Sequence, residues 1–380
     1  MGLFSGIGGF ELAFARHGGE CIGLCDIDES SRAVLRTRFE GVPIMEDVTA
    51  VQSVEGTDVL TAGFPCQDLS QAGGKHGIGG SRSGLIDEVF RLLDKARRKP
   101  KWVVLENVSY MLRLHQGRAM RHIIERAEAL GYHWAYRVLD ARGFGLPQRR
   151  ERVVILLCRD DDPSQVLFPA GYVEPNVDDR VGPVDLKSVY GFYWTEGKRG
   201  LGWVKDAVPT IKGGSTLGIA SPPAIWNPAT GELGTPSISD AERLFGFSAG
   251  WTAPADAVSG RKGARWKLVG NTLCVPMVEW VAQQIVLPKG LGAPTQEIDF
   301  ATRPPLAAYG YAGRRFKVEV STWAEPAPAP ALARFLQDPL APLSVRAATG
   351  FFKRACESTT IRFADGFLDS VASYIDRKTL

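Results

Sequence analysis

The strongest constraint on this chain is a regular alternation of short apolar runs and amphipathic stretches through its first 158 residues. Met1 to Ser5 reads as a short extended start, which Gly6-Ile7-Gly8-Gly9 turns into an amphipathic stretch ending at Gly18-Gly19. Residues 21–24 read as a strand, 30–39 as a helix and 58–62 as a brief strand. Lys101-Trp102-Val103-Val104-Leu105 is a near-continuous apolar run, the pattern of a strand covered on both faces. One helix is marked by Leu85, Val89, Leu92, Leu93 and Ala96 on a shared face. A second is marked by Met120, Ile123, Ile124, Ala127 and Leu130, with Gly131 at its end. Residues 153–158 form another apolar strand. Strands alternating with helices predict an α/β fold with a parallel, doubly wound sheet, because parallel neighbours need a long crossover and a helix supplies it.

Beyond residue 158 the pattern changes. Residues 159–238 are rich in Gly, Pro, Trp and Tyr and carry seven Lys/Arg against ten Asp/Glu, which reads as a smaller module of loops and short strands. Helical signals return at 239–245 and 274–286. The Pro-Ala run at 325–330 reads as a stiff linker or exposed loop, and the last fifty residues as a small helical appendage. The expected division is a core at 1–158, a second module at 159–238, a return to the core at 239–286 and an extension of unassigned role at 287–380. A chain of 380 residues is long enough for a core domain plus a second module.

No window approaches the apolar length of a membrane span, and the first residues run straight into a glycine turn, so neither a span nor a signal peptide is expected. The six cysteines, Cys21, Cys25, Cys66, Cys158, Cys274 and Cys356, are irregularly spaced. They predict no zinc site and a reducing, cytoplasmic setting. Net charge is only +3, but residues 91–152 hold fifteen Lys/Arg against six Asp/Glu. Such a block faces a polyanion or is a solvated helix surface.

Four groups fall just past expected strand ends: Gly6 to Gly9, Asp26 and Asp28, Gly63-Phe64-Pro65-Cys66-Gln67, and Glu106-Asn107. In open parallel sheets ligands bind outside the carboxyl ends of the strands, so topology gathers all four at one edge. The glycine turn allows close backbone approach, but Glu11 stands where a dinucleotide fingerprint needs its third glycine. Asp26, twenty residues after Gly6, suits ribose hydroxyls. A lone cysteine is ordinarily inert and buried. Cys66 lies instead in a polar, Gly-flanked loop, the setting of an activated thiolate nucleophile. Glu106 closes a very apolar strand, where it either faces solvent at the strand end or is partly desolvated, which suits a carboxyl to proton donation. If residues 148–152 are extended, Gln148, Arg150 and Arg152 share a face that matches phosphate or base oxygens, or the segment is a surface salt-bridge ladder. The glycine-rich stretch 71–84 reads as a mobile lid or as plain disorder.

Taken together, Leu3-Phe4-Ser5-Gly6-Ile7-Gly8-Gly9-Phe10, Gly63-Phe64-Pro65-Cys66-Gln67-Asp68-Leu69-Ser70, Glu106-Asn107-Val108, Gln148-Arg149-Arg150-Glu151-Arg152 and Gly270-Asn271-Thr272 resemble the ordered motifs of DNA cytosine-5 methyltransferases. Arg243-Leu244-Phe245-Gly246-Phe247 is similar to the motif that family carries shortly before its last one, and the resemblance covers residues 2–286. It implies a Rossmann-like S-adenosylmethionine-dependent methyltransferase fold with a smaller target recognition domain at 159–238.

The resemblance also implies roles. Cys66 attacks cytosine C6, Glu106 hydrogen-bonds or protonates N3, and Arg152 grips O2 with Arg150 close by. Phe4 stacks near the cofactor adenine, Gly6 and Gly8 make room for the methionine part, Asp26 holds the ribose and Asp47 binds the adenine amino group. Gly9, Ile27, Val48, Phe64, Asn271 and Thr272 complete the cofactor pocket. Gln67, Ser70, Gln148, Arg150 and Thr210 contact DNA. The partners implied are S-adenosylmethionine and double-stranded DNA, with no metal. The resemblance further implies a monomer in a prokaryotic cytoplasm, and the sequence leaves open whether a cognate restriction endonuclease, acting separately, accompanies it.

The chain departs from the family in three places: Gly2 stands where many relatives have aspartate, the last motif ends in Thr272 instead of the commoner serine, and residues 287–380 extend past the family core. Two alternatives remain. A related subgroup that methylates tRNA carries a Cys-Phe-Thr signature in the recognition region, and no cysteine occurs from Arg159 to Lys267. An inactive DNA-binding paralogue is the other, and against it stand the intact Cys66, Glu106 and Arg152.

Overall fold

The apolar runs of the first half assemble into one large twisted sheet. The computed structural model describes residues 1–65, 84–169, 183–198, 200–214, 220–260, 263–299, 304–311, 313–325 and 329–379. The chain divides into unit 1 (Met1–Asp140, Glu151–Glu174, Leu273–Ala324) and unit 2 (Ala141–Arg150, Pro175–Thr272, Glu325–Leu380).

Unit 1 holds β1 (Gly2–Leu3), β2 (Leu24–Cys25), β3 (Ile44–Met45), β4 (Val59–Ala62), β5 (Trp102–Val108), β6 (His133–Asp140), β8 (Glu151–Cys158), β14 (Thr295–Glu297), β15 (Ala307–Tyr311) and β16 (Arg314–Val318). They lie in the order β14-β16-β15-β6-β8-β5-β4-β1-β2-β3. From β3 to β5 every pairing is parallel. The expectation of a wholly parallel sheet is corrected beyond that point: β8 runs antiparallel to both β5 and β6, and β15 antiparallel to β6. Residues 141–150, which separate β6 from β8, are fewer than the dozen or so that a parallel crossover requires. Residues 106 and 107, expected just past a strand end, lie inside β5, because its ladder with β8 continues to Val108↔Arg152.

Helices α1 (Gly9–Ala15), α2 (Glu29–Arg38), α3 (Leu85–Lys95), α4 (Arg118–Ala129), α5 (Ser164–Leu167) and α8 (Val275–Val286) belong to this unit. The faces predicted for α3 and α4 are those buried: Val89, Leu92 and Leu93 of α3 with Met120, Ile123 and Ile124 of α4 share one core with Trp134, Tyr136 and Val138 of β6. Side chains alternate along a strand, so Arg137 points to the other face. There its guanidinium lies over the Trp280 ring of α8 at 5.9 Å and donates to the carbonyls of Leu167, Ser321 and Trp323. Helices therefore cover both faces.

Unit 2 contains β7 (Gln148–Arg149), β9 (Tyr190–Phe192), β10 (Val204–Lys205), β11 (Val208–Pro209), β12 (Ala224–Asn227), β13 (Glu232–Thr235) and β17 (Ala341–Pro342). Its helices are α6 (Ile238–Arg243), α7 (Ala264–Asn271), α9 (Leu332–Phe335), α10 (Val345–Cys356) and α11 (Phe367–Thr379). An antiparallel sheet runs β10-β9-β12-β13-β17, and β7 pairs with β11. The aromatic composition of this stretch becomes its core. Tyr190, Phe192, Trp203 and Trp226 pack with Phe351 of α10 and with Phe367, Val371 and Tyr374 of α11. Residues 287–380 therefore divide: β14 to β16 extend the sheet of unit 1, and α10 and α11 close the core of unit 2.

Candidate active site

The carboxyl ends of β1, β2, β3, β4 and β5 lie side by side in unit 1, and the groups that follow them are tied to one another by short bonds. After β1 the chain enters left-handed backbone at Phe4 (φ 53) and Gly6 (φ 56), and Gly8 (φ 83) precedes α1. A Cβ built on Gly6 would meet nothing within 4 Å, so the turn presents bare backbone to open space. Gly8 differs, because a Cβ there would stand 2.2 Å from the Phe39 ring, so its missing side chain makes room for the chain's own aromatic. Gly9 is buried at the start of α1.

Asp26, just past β2, links two of these turns. Its Oδ2 accepts from Gly6 N at 2.7 Å and its Oδ1 from Asp28 N at 2.9 Å. A carboxylate has about four lone-pair sites, so acceptor capacity remains for a ligand hydroxyl beside these two backbone donors. Burial raises the pKa of Asp26 from the ordinary carboxylate value, and the two backbone donors oppose that rise. Asp28 caps α2 through Ser30 N and Ser31 N, while Ile27 between them is 78% exposed, an apolar side chain held out at the sheet edge. Past β3, Asp47 accepts from Thr49 N at 2.8 Å, which lowers its pKa. The following Val48 is buried and its carbonyl accepts from Arg91.

The loop after β4 meets β5. Asn107 Nδ2 donates to the Phe64 carbonyl at 3.0 Å, anchoring the chain two residues before Cys66. A Cβ on Gly63 would stand 3.8 Å from the Phe4 carbonyl oxygen and 3.9 Å from Glu106 Oε2, so the ends of β1, β4 and β5 converge there. Phe64 itself is buried. Glu106 and Arg152 form an ion pair, Nε to Oε1 2.9 Å, with side chains 12% and 10% exposed. The pair joins neighbouring antiparallel strands near the point where Val108 faces Arg152. Cys66, Gln67, Ser70 and most of the glycine-rich stretch lie outside the described residues.

Residues 1–185 match the family described as C-5 cytosine-specific DNA methylase. Over the full length the chain is 45% identical to the Type II methyltransferase M2.BsuMI of Bacillus subtilis (strain 168), covering 98% of that protein. The chain belongs to this family. It is a DNA (cytosine-5-)-methyltransferase. The Type II methyltransferase M.BsuFI of Bacillus subtilis is 32% identical over 74% of this chain and 70% of its own length. Among solved structures, Dnmt2 of S. pombe superposes with a TM-score of 0.54 at 15% identity, over 75% of this chain and 97% of that one. Spodoptera frugiperda DNMT2 gives 0.53 at 14% identity, over 75% and 98%. At such identity the likeness concerns the fold, a Rossmann-like methyltransferase sheet.

The remaining candidate residues of this methyltransferase lie in unit 2. The extended face expected to carry Gln148, Arg150 and Arg152 does not form, because β7 ends at Arg149 and alternation requires an unbroken strand. Gln148 donates to the Leu244 carbonyl at 2.9 Å and accepts from Ile211 N at 3.2 Å. Arg150 is 1% exposed, stacks on Phe245 at 4.7 Å and donates to the carbonyls of Ile211 (3.1 Å), Gly270 (3.3 Å) and Thr272 (2.5 Å). Thr210 Oγ1 donates to the Arg149 carbonyl at 2.7 Å. Gly270 lies against the Lys212–Gly213 peptide, where a Cβ would stand 2.2 Å from Gly213 N, and the Asn271 amide covers Gly213. Arg150 thus staples the segment after Thr210 to Gly270 and Thr272.

Asn107, an amide beside Glu106 at the end of an apolar run, holds the Phe64 carbonyl, a role that the sequence does not specify. Among the described residues no His/Cys/Asp/Glu group could hold a metal ion, and no helix is long and apolar enough to cross a membrane.

Proposed function

We propose that this enzyme methylates C5 of a cytosine within a specific double-stranded DNA sequence and is the modification half of a restriction-modification system. The observation that carries the reading is the buried Glu106–Arg152 ion pair, whose strand also anchors Phe64, two residues before Cys66. The names of the Type II relatives favour DNA as substrate and a restriction-modification context.

The strand-end residues fit S-adenosylmethionine. Bare backbone at Gly6 accepts close approach, Asp26 offers acceptors to ribose hydroxyls, Ile27 offers an apolar surface to an adenine face, and Asp47 accepts from its amino group. Phe4, Val48 and Phe64 line the strand-end site of unit 1, and the family resemblance assigns Asn271 and Thr272 to the same cofactor. When bound, the cofactor supplies an electrophilic methyl group on a sulfonium.

The reacting base cannot be reached inside a stacked duplex, so it is extruded at a cost of a few kcal/mol. Arg152 donates to O2 and, through its ion pair, orients Glu106, which hydrogen-bonds or protonates N3. The Cys66 thiolate then adds to C6. The electron pair displaced from the C5–C6 bond makes C5 an enamine carbon, nucleophilic toward the methyl group that the bound sulfonium would supply with a neutral thioether as its leaving group. Removal of the C5 proton and expulsion of the thiolate restore the aromatic ring. Gln67, Ser70 and Thr210 support the opened duplex, whereas Gln148 and Arg150, expected to contact DNA, are buried and instead hold the segment after Thr210 in place.

Cys66→Ser abolishes methylation of double-stranded DNA, measured by bisulfite sequencing of DNA from expressing cells, which also reads out the target. A duplex with 5-fluorocytosine at that target yields a heat-stable protein–DNA adduct, because its C5 has no proton to lose. Undiminished methylation by Cys66→Ser overturns the covalent mechanism.

A further inference from the structure

Within unit 1 the basic block, residues 91–140 with Arg152, is divided by strand direction, and cations before and after β5 lie at opposite edges of the sheet. Arg97, Arg98 and Lys101 precede β5 and so stand at the amino edge. There Arg98 faces Asp58, ahead of β4, at 3.8 Å, and Lys101 pairs with Asp161, beyond the end of β8, at 2.7 Å. The candidate site lies at the carboxyl edge. Other members are engaged internally: Arg91 by Glu88 and the Val48 and Val51 carbonyls, Arg126 over the Phe90 ring, Arg137 by three carbonyls and Arg152 by Glu106.

Residues 109–121 leave β5 at the carboxyl edge. Ser109 Oγ donates to Glu151 Oε2 at 3.2 Å, so the segment starts beside the Glu106–Arg152 pair. From Ser109 to Ile124 there is no carboxylate, while Arg113, Arg118, Arg121 and two histidines occur. His115 (φ 47, ψ 45), Gln116 (φ 58, ψ 30) and Gly117 (φ 78) are three successive left-handed residues, a costly arrangement for the two with side chains. It is held by Arg121 Nη1 on the Gln116 carbonyl at 2.6 Å and by Pro304, whose Cδ would stand 2.3 Å from a Cβ on Gly117. The bend buries none of the side chains that cause it: His115 and Gln116 are exposed, as are Arg113 and Arg118, and Tyr110 is 60% exposed. The segment therefore presents Tyr110, Arg113 and Arg118 to solvent just after the strand that carries Glu106.

We propose that residues 109–121 form the phosphate-binding arm of unit 1, with Arg113 and Arg118 on the DNA backbone flanking the extruded base. The inference rests on the proposed DNA reaction. Each cation that neutralises a phosphate displaces condensed counterions and steepens the salt dependence of binding by about one in log–log slope. The test measures binding of the full-length enzyme to a fluorescent duplex carrying the mapped target, and to a scrambled duplex, across a salt series. The double variant Arg113→Gln/Arg118→Gln is compared with Arg97→Gln/Arg98→Gln at the amino edge, and matched thermal melts report that each is folded. The first pair is expected to lower the slope by about two and to weaken binding roughly tenfold or more on both duplexes. The second is expected to change neither. An unmoved slope in the first pair, or an equal loss in the second, overturns the arm while wild-type methylation leaves the reaction standing. A wild type that neither binds nor methylates the duplex overturns both.

Discussion

In unit 1 most of the core comes from one continuous run of the sequence, with β8 and a few later strands added, whereas in unit 2 it closes only when widely separated segments meet. Strands β1 to β6 and helices α1 to α4 of unit 1 follow one another within Met1–Asp140, and its site groups are tied by backbone partners: Gly6 N and Asp28 N to Asp26, and the Phe64 carbonyl to Asn107. The aromatics of unit 2 from residues 190–226 depend on helices more than a hundred residues later. Phe192 meets Phe351 at 5.1 Å, and Trp203 and Trp226 meet Phe367 at 5.1 and 5.0 Å. Position is therefore set in unit 1 mainly by the hydrogen-bonded frame of the sheet and in unit 2 mainly by ring packing. A defect should stay local in the first and spread in the second.

The harshest way to break that contrast is to delete residues 345–379. This removes Phe351, Phe367, Val371 and Tyr374, and each large buried side chain contributes about 3–5 kcal/mol, together more than a typical net stability of about 5–15 kcal/mol. Amides of β9, β12 and β13 should then exchange freely with solvent deuterium while those of β4, β5 and β8 stay protected. Equal protection of both sets would refute the contrast. Phe367→Ala alone should cost about 3–5 kcal/mol, read as a lowered denaturant midpoint, and should loosen all of the unit 2 sheet.

Arg152→Ala is the counterpart in unit 1. It leaves Glu106 buried without its counter-charge, at a cost of about 3 kcal/mol. It should reduce methylation at least about a hundredfold while exchange protection along β5 and β8 is retained. A general loss of protection there would place ion pairing, not the ladder, at the root of unit 1.

The smallest effect concerns Glu11, which packs against Gly2 so closely that a Cβ there would stand 1.8 Å from its Oε1. Burial pushes its pKa up to about 7, outweighing the favourable contacts from backbone and Ser5. The folded chain then holds this proton to higher pH than the unfolded chain does, so stability present at low pH is lost as pH rises from about 4.5 to about 7. Glu11→Gln removes that loss. Its melting temperature should exceed that of wild type at pH 8 by an amount equivalent to about 1–3 kcal/mol, with the advantage gone below about pH 5. An advantage independent of pH would mean that packing, not proton release, sets the difference.

Much of unit 1 was legible in the sequence. The glycine turn, Asp26 past β2, and the buried faces of α3 and α4 follow from periodicity and strand-end chemistry, which act over a few residues. The direction of β8 was not, because an apolar strand looks alike in either direction and only the ten-residue link from β6 decides it. Arg150 was expected to lie on the same face as Arg152, but the break after Arg149 turned it onto the Ile211, Gly270 and Thr272 carbonyls. Nothing in the run of residues 345–379 names Trp203 or Trp226 as its partners, since an aromatic advertises burial and not against what.

By itself the amino-acid order determined which residues carry chemistry and which stretches form strands and helices, because hydrophobic period and turn residues act locally. The tertiary structure alone decided which of those residues meet: Glu106 with Arg152, Asn107 with Phe64, and α10 and α11 with the aromatic sheet. Pairing across long separations depends on complementary shape and on buried polar groups finding partners, and neither is written in the local pattern of either partner.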